Sequence, residues 1–65
     1  MTNITAYAAR VLIKNGQAKV ASVFRHWSTG GLYVVLDLGK GSSYALLNPT
    51  WESVFKREGL LREAI

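Results

Sequence analysis

His26 is the only imidazole in the chain, and the chain has no cysteine. A zinc site draws three or four ligands from those residue types, so no metal and no metal-bound water is expected. Nucleophilic catalysis finds little more to work with. Serines are present, but one histidine is the only ordinary base to activate them. The acids Glu52, Glu58 and Glu63 fall in a helical pattern, with Lys56 four residues beyond Glu52 and Arg62 four beyond Glu58. That spacing makes surface ion pairs rather than acid–base pairs. Asp37 lies in a strand-like run, where tight turns would bring it beside Ser22 and Tyr44. Held by such hydroxyls or by turn amides, it is a structural group. Gly39-Lys40-Gly41-Ser42-Ser43 has the composition of a phosphate loop but the wrong order: the lysine precedes the second glycine, and a strand-like run follows where a helix should open. A non-enzyme without a cofactor is the reading.

Charge offers a different chemistry. Residues 1–48 carry Arg10, Lys14, Lys19, Arg25 and Lys40 against Asp37 alone. Residues 49–65 balance three cations with three anions, so the whole excess of +4 falls in the first part. A basic face attracts phosphates and binds them with a steep dependence on salt. Arg25-His26-Trp27, with Tyr33 beyond the next turn, adds aromatic faces on which bases stack. Arg10, Lys14, Lys19, Arg25, Trp27 and Lys40 are therefore the candidate contacts to DNA or RNA. A solvated face whose lysines discourage strand-edge aggregation explains the same charges, and Trp27 with Tyr33 would equally cover a barrel end or an oligomer seam.

The placement of those cations depends on the elements beneath them. Asn15-Gly16 between two strand-like runs is the preferred pair for a two-residue hairpin turn. Pairing outward places Val11 opposite Val20 and Tyr7 opposite Phe24 on an apolar face. Arg10, Lys14, Lys19 and Arg25 then share the other face. A one-residue slip would destroy that sorting. A helix competes for residues 6–14: Ile4, Tyr7, Ala8 and Val11 fit helical spacing, Thr5 could cap it, and Asn15-Gly16 could end it.

Further on, Ser28-Thr29-Gly30-Gly31 breaks the chain, Leu32 to Leu38 forms a third strand, residues 39–42 turn, and Ser43 to Leu47 forms a fourth. Strand three is apolar at nearly every position, as strands buried on both faces are. Asn48-Pro49 opens a helix, with Asn as cap and Pro at its first position. Trp51, Val54 and Phe55 make its apolar stripe, expected to pack on the face of Tyr7, Val11, Val20 and Phe24. Gly59 either ends or weakens this helix, and Leu60, Leu61, Ala64 and Ile65 continue an apolar side. The expected fold is α+β, mostly β: one domain over residues 1–65, a four-stranded antiparallel meander, open or curled into a small barrel, followed by a C-terminal helix. The order is similar to that of small curled barrels of the Src-homology type, in pattern and not in any motif.

Hydrophobic residues make up 49% of the 65 residues and charged ones 18%, too apolar for disorder. The apolar run from Ile4 to Ile13 is interrupted and far shorter than the roughly 20 residues of a membrane span. A cytoplasmic protein without membrane contact is expected. A cysteine-free chain of this length buries only about 60% of the surface it exposes when unfolded, which favours a homo-oligomer, most simply a dimer. Apart from nucleic acid, the function that fits is a protein-interaction module. It would be a compact inhibitor or adaptor of the kind phages and other mobile elements encode in very short reading frames.

Overall fold

The computed structural model of the chain describes residues 1–62. A two-residue strand β1 (Thr2–Asn3) leads into helix α1 (Ala6–Lys14). Strands β2 (Lys19–Arg25), β3 (Leu32–Asp37) and β4 (Ser42–Leu47) follow, and then helix α2 (Pro49–Arg57). The strands form one sheet in the order β1-β4-β3-β2. The β2–β3 and β3–β4 pairs are antiparallel, whereas β1 runs parallel to β4, with Thr2 opposite Ser43 and Asn3 opposite Tyr44. The fold is α+β with a C-terminal helix; the sheet is mixed and open, not a pure meander and not a closed barrel.

The main departure from expectation is residues 6–14, a helix and not the first arm of a hairpin. Thr5 caps it, its hydroxyl accepting from the Ala8 amide at 3.0 Å. Ala6, Ala8 and Ala9 favour the helix intrinsically, and Ala6 and Ala9 are buried where α1 packs on β4. Asn15-Gly16 ends the helix. A type I′ turn needs positive φ at both central residues, but Asn15 has φ −84° and only Gly16, at +75°, is left-handed. The Gly16 amide donates to Ile13 O at 3.1 Å and the Gln17 amide to Leu12 O at 2.9 Å. This is the Schellman closure of a helix C-terminus.

Helix α2 starts as the sequence reading has it, but its stripe packs with Val20 and not with Phe24, which lies on the other face of the sheet. The Asn48 side chain accepts from the Trp51 amide at 2.8 Å, and Pro49 occupies the first turn. It ends as α1 does: Gly59 has φ +70°, its amide donates to Lys56 O at 3.1 Å, and the Leu60 amide donates to Phe55 O at 2.9 Å. The closure folds Leu60 back beside the core with Phe55, and both are buried. Leu61 packs against this core from its edge; the expected apolar continuation through Ala64 and Ile65 lies outside the described residues.

Strand β2 pairs with β3, not with residues 7–14: Val20 faces Leu36, Val23 faces Val34 and Phe24 faces Tyr33. A bulge at Ala21 shifts the register between Val20 and Ser22. It brings Val20 and Val23, three residues apart, to the same side of the sheet. That side holds the core: Val20, Leu32, Val34, Leu36, Ala45 and Leu47, covered by Ala6, Ala9 and Phe55. Strand β3 is central, as expected, but only Leu32, Val34 and Leu36 are buried; Tyr33 and Val35 are partly open on the other face. Truncating a fully buried Phe to Ala costs about 3–5 kcal/mol. Small single cores rarely supply more than about 3–5 kcal/mol in total, so Phe55→Ala should remove an amount comparable to the whole.

Gly16→Val tests the helix closure. A β-branched residue at positive φ strains the backbone by about 1–2 kcal/mol, and chemical denaturation should show a loss of that size. Gly41→Val, which has open space and no left-handed φ, should change stability much less. Equal losses at both positions would contradict the assigned closure.

Candidate interaction surface

Side chains alternate along each strand, so the face opposite the core carries the intervening residues. Phe24, Tyr33 and Leu46 are register neighbours in one row, and Ser22, Val35, Tyr44 and Asn3 are neighbours in the next. Among the described residues, neither α1 nor α2 covers them. Phe24 keeps 48% of its surface exposed and Leu46 45%, while Met1 reaches 79% at the β1 side. The rings contact one another. Phe24 and Tyr33 stack with centroids 5.4 Å apart and planes 15° from parallel, and Tyr33 and Tyr44 meet at 5.9 Å, tilted by 46°. Such cross-strand and diagonal aromatic pairs hold side chains in place on an exposed sheet. Met1, Phe24, Tyr33, Val35 and Tyr44 line one shallow apolar depression there.

Trp27 stands at the end of this face, 91% exposed. The β2–β3 loop presenting it is tightly organised. The His26 amide donates to Gly31 O at 2.8 Å and the Gly30 amide to His26 O at 2.9 Å. The His26 Nδ1 accepts from the Ser28 and Thr29 amides, both at 3.3 Å, and lies 2.9 Å from Ser28 Oγ. With Nδ1 an acceptor, the ring proton belongs on Nε2 and the serine hydroxyl donates. The imidazole also lies against Trp27, 6.1 Å between centroids and nearly parallel, and against Tyr33 at 5.6 Å. A Cβ at Gly31 would come within 2.6 Å of Leu46 Cδ1, the end of a half-exposed side chain that can turn aside.

The candidate cations do not share a sheet face. Arg10 and Lys14 stand one turn apart on α1, and both reach Glu58 at the end of α2. Arg10 donates Nε to Oε1 at 2.7 Å and Nη2 to Oε2 at 3.0 Å, and Lys14 Nζ lies 3.5 Å from Oε1. Arg25 turns to the helix side, donating to Gly30 O at 2.7 Å and to both oxygens of Glu52 at 3.3 and 2.9 Å. Lys56 completes that pair at 3.0 Å, the expected spacing of four, whereas Glu58 spends itself on α1 rather than on Arg62. Lys19 begins β2 opposite Asp37, and Lys40 occupies the β3–β4 turn. Asp37 is exposed, and its Oδ1 accepts from the Gly39 amide at 2.8 Å, the turn-amide role expected of it. Among the described residues, Lys19, Lys40, Arg57 and Arg62 make no ion pair.

The side of Val23, Leu36 and Ala45 lies under the helices, and the open patch is the one with Phe24. Tyr7, expected beside Phe24, lies on α1 instead and meets Trp51 at 6.5 Å. This inversion follows from reading α1 as a strand. The sequence signal that finds the open face is the alternation in β3, where Tyr33 and Val35 stand between Leu32, Val34 and Leu36. Among the described residues, no three His, Asp or Glu side chains converge as a metal set, and no helix is long and apolar enough to cross a membrane.

Hydrogen bonds from Arg25 and Lys56 hold the Glu52 carboxyl at about 2, and those from Arg10 hold Glu58 there too, against an ordinary 4.5. Because the folded value is the lower one, this stabilisation is complete above the ordinary value and is lost as pH falls towards 2. The melting temperature should stay level from neutral pH to about 5 and fall between 4.5 and 2. Glu58→Gln should lower it at neutral pH and flatten the acid limb. An unchanged acid limb in a variant with both glutamates replaced by glutamine would contradict this assignment.

The sequence matches no model of a known protein family, and neither curated proteins nor solved structures give a match.

Proposed function

We propose that this chain is a small non-enzymatic binding protein that docks a protein partner on its open sheet face. One observation carries the reading: the aromatic and aliphatic side chains of β2, β3 and β4 that neither α1 nor α2 covers form a continuous patch poor in charge. Interface centres have that composition, with aromatic residues and Met enriched and charged residues depleted. Exposed Trp27 and the stacked Phe24–Tyr33 pair are the side-chain types that dominate binding energy at such centres. The groups that would serve acid–base chemistry are engaged elsewhere. Glu52 and Glu58 hold the helix layer together, and the Nδ1 of His26 organises its loop.

A second reading, binding of single-stranded nucleic acid to the same face, has support in the ring stack, in Trp27 and in the net charge of +4. It has less because a backbone-tracking groove needs cations among the aromatics. Here Arg10, Lys14 and Arg25 are committed to carboxylates of α2 or its end, leaving Lys19 and Lys40 as the cations of the strand and turn region.

Selection of a random peptide library on the immobilised protein tests the choice. Selected peptides should shift backbone resonances of residues 22–24, 33–35 and 44–46. They should bind at least tenfold more weakly to Val35→Lys, a change at the centre of the patch. Peptides mapping to α1 and α2 instead would contradict the reading. Retention of single-stranded DNA or RNA at low salt, weakening steeply with added salt and lost in Trp27→Ala, would establish the second reading in its place.

A further inference from the structure

The occupant of the open face can be narrowed by asking what the face complements; this step rests on the interaction reading above. Side chains of the Phe and Trp class bury about 150–250 Å2 each. At their observed exposures, Met1, Phe24, Trp27 and Leu46, with the half-buried rings between them, offer on the order of 600 Å2 per copy. Two copies would bury about 1,200 Å2, the lower bound of stable specific interfaces.

The polar groups of the patch have an unusual property in common. Ser22, Tyr33 and Tyr44 contribute hydroxyls and Asn3 an amide, and each of these both donates and accepts. A surface with that inventory can pair with a copy of itself, as a two-fold contact requires, because the same patch forms both sides of the seam. Charge agrees. Two copies at +4 repel wherever their cations meet. On the open face the charges are confined to one end, where Lys19 and Asp37 are register partners of opposite sign. The paired cations Arg10, Lys14, Arg25 and Lys56 belong to the helix side. An acidic partner would gain nothing there over any other part of the surface. Finally, the covered core is small, and association supplies burial that a short chain without disulfides lacks.

We infer that the open sheet face is the seam of a two-fold homodimer, with Trp27 clasping the partner copy at its end. The seam buries Phe24, Tyr33, Val35 and Tyr44 against the same patch of the partner copy, and the helices face outward on both sides.

Sedimentation or light scattering of the whole chain across a dilution series tests this. Wild type should reach twice 7.2 kDa and dissociate on dilution. Raising salt from about 50 to 500 mM should leave association unchanged or tighten it, since screening removes like-charge repulsion. Trp27→Ala, remote from the core, should weaken association at least tenfold with an unchanged circular dichroism spectrum. Val35→Lys should be monomeric. A 7.2 kDa particle up to millimolar concentration would overturn the inference, as would a dimer indifferent to both substitutions. If that monomer still takes selected peptides on residues 22–24, 33–35 and 44–46, the second copy alone is wrong; if it takes none there, the interaction reading fails with it.

Discussion

A four-stranded sheet has two faces, and both helices among the described residues lie on the same one. Everything else in the molecule follows from that distribution. Leu32, Val34 and Leu36 of β3, with Ala45 and Leu47 of β4, are buried because Ala6, Ala9 and Phe55 lie above them. Tyr33, Val35, Tyr44 and Leu46 alternate with these along the same strands and, among the described residues, have no helix above them. The Ala21 bulge sharpens the division by bringing Val23 back to the covered side and leaving Phe24 on the open one. The sheet is thus apolar on both faces, covered by α1 and α2 on one, and not closed into a barrel, which is the observation behind the proposed association.

The covered side is fastened by polar means. Glu58 stands at the end of α2 and takes the guanidinium fork of Arg10 from α1. Glu52 takes Arg25 from the strand beneath. Each pair ties a helix to an element distant in sequence, and together they engage cations that would otherwise form an anion-binding field. Each helix also closes on a left-handed glycine, so the chain turns away abruptly at Gly16 and Gly59. In the second case the next residue, Leu60, enters the core. A short chain thereby gains a second layer without long connections.

Much of this was legible in the sequence, and the rest was hidden for identifiable reasons. Asn48-Pro49, the stripe of Phe55, the turns at residues 28–31 and 39–42 and the central place of β3 each carry local signals that admit one interpretation. Asn15-Gly16 does not. A hairpin turn and a helix terminus both need a residue with positive φ, and the alternation of small and apolar side chains in residues 7–14 satisfies both periods. The alanines at 6, 8 and 9 and the threonine before them are what tip the balance to helix. Strand β1 had no side-chain pattern to read, because its two residues are held by backbone pairing with β4. The candidate site depended on the same choice. Trp27 lies in a loop and is exposed whichever register holds, whereas the shared face of Arg10, Lys14, Lys19 and Arg25 existed only in the hairpin pairing.

The resulting picture is a two-layer domain whose helix side engages Arg10, Lys14, Arg25 and Lys56 in ion pairs and whose sheet side is proposed to serve association. The aromatic rings of that side are preorganised by contact with one another and by the His26 loop, so little ordering is needed when a second surface arrives. The most direct measurement is an isotope-filtered nuclear Overhauser experiment on a mixture of labelled and unlabelled chains, which reports only contacts between copies. The account predicts cross-peaks from the Tyr33 and Tyr44 rings of one copy to the Val35 and Leu46 methyl groups of the other. Intermolecular cross-peaks confined to α1, α2 or the outer edge of β2, or none at millimolar concentration, would contradict it.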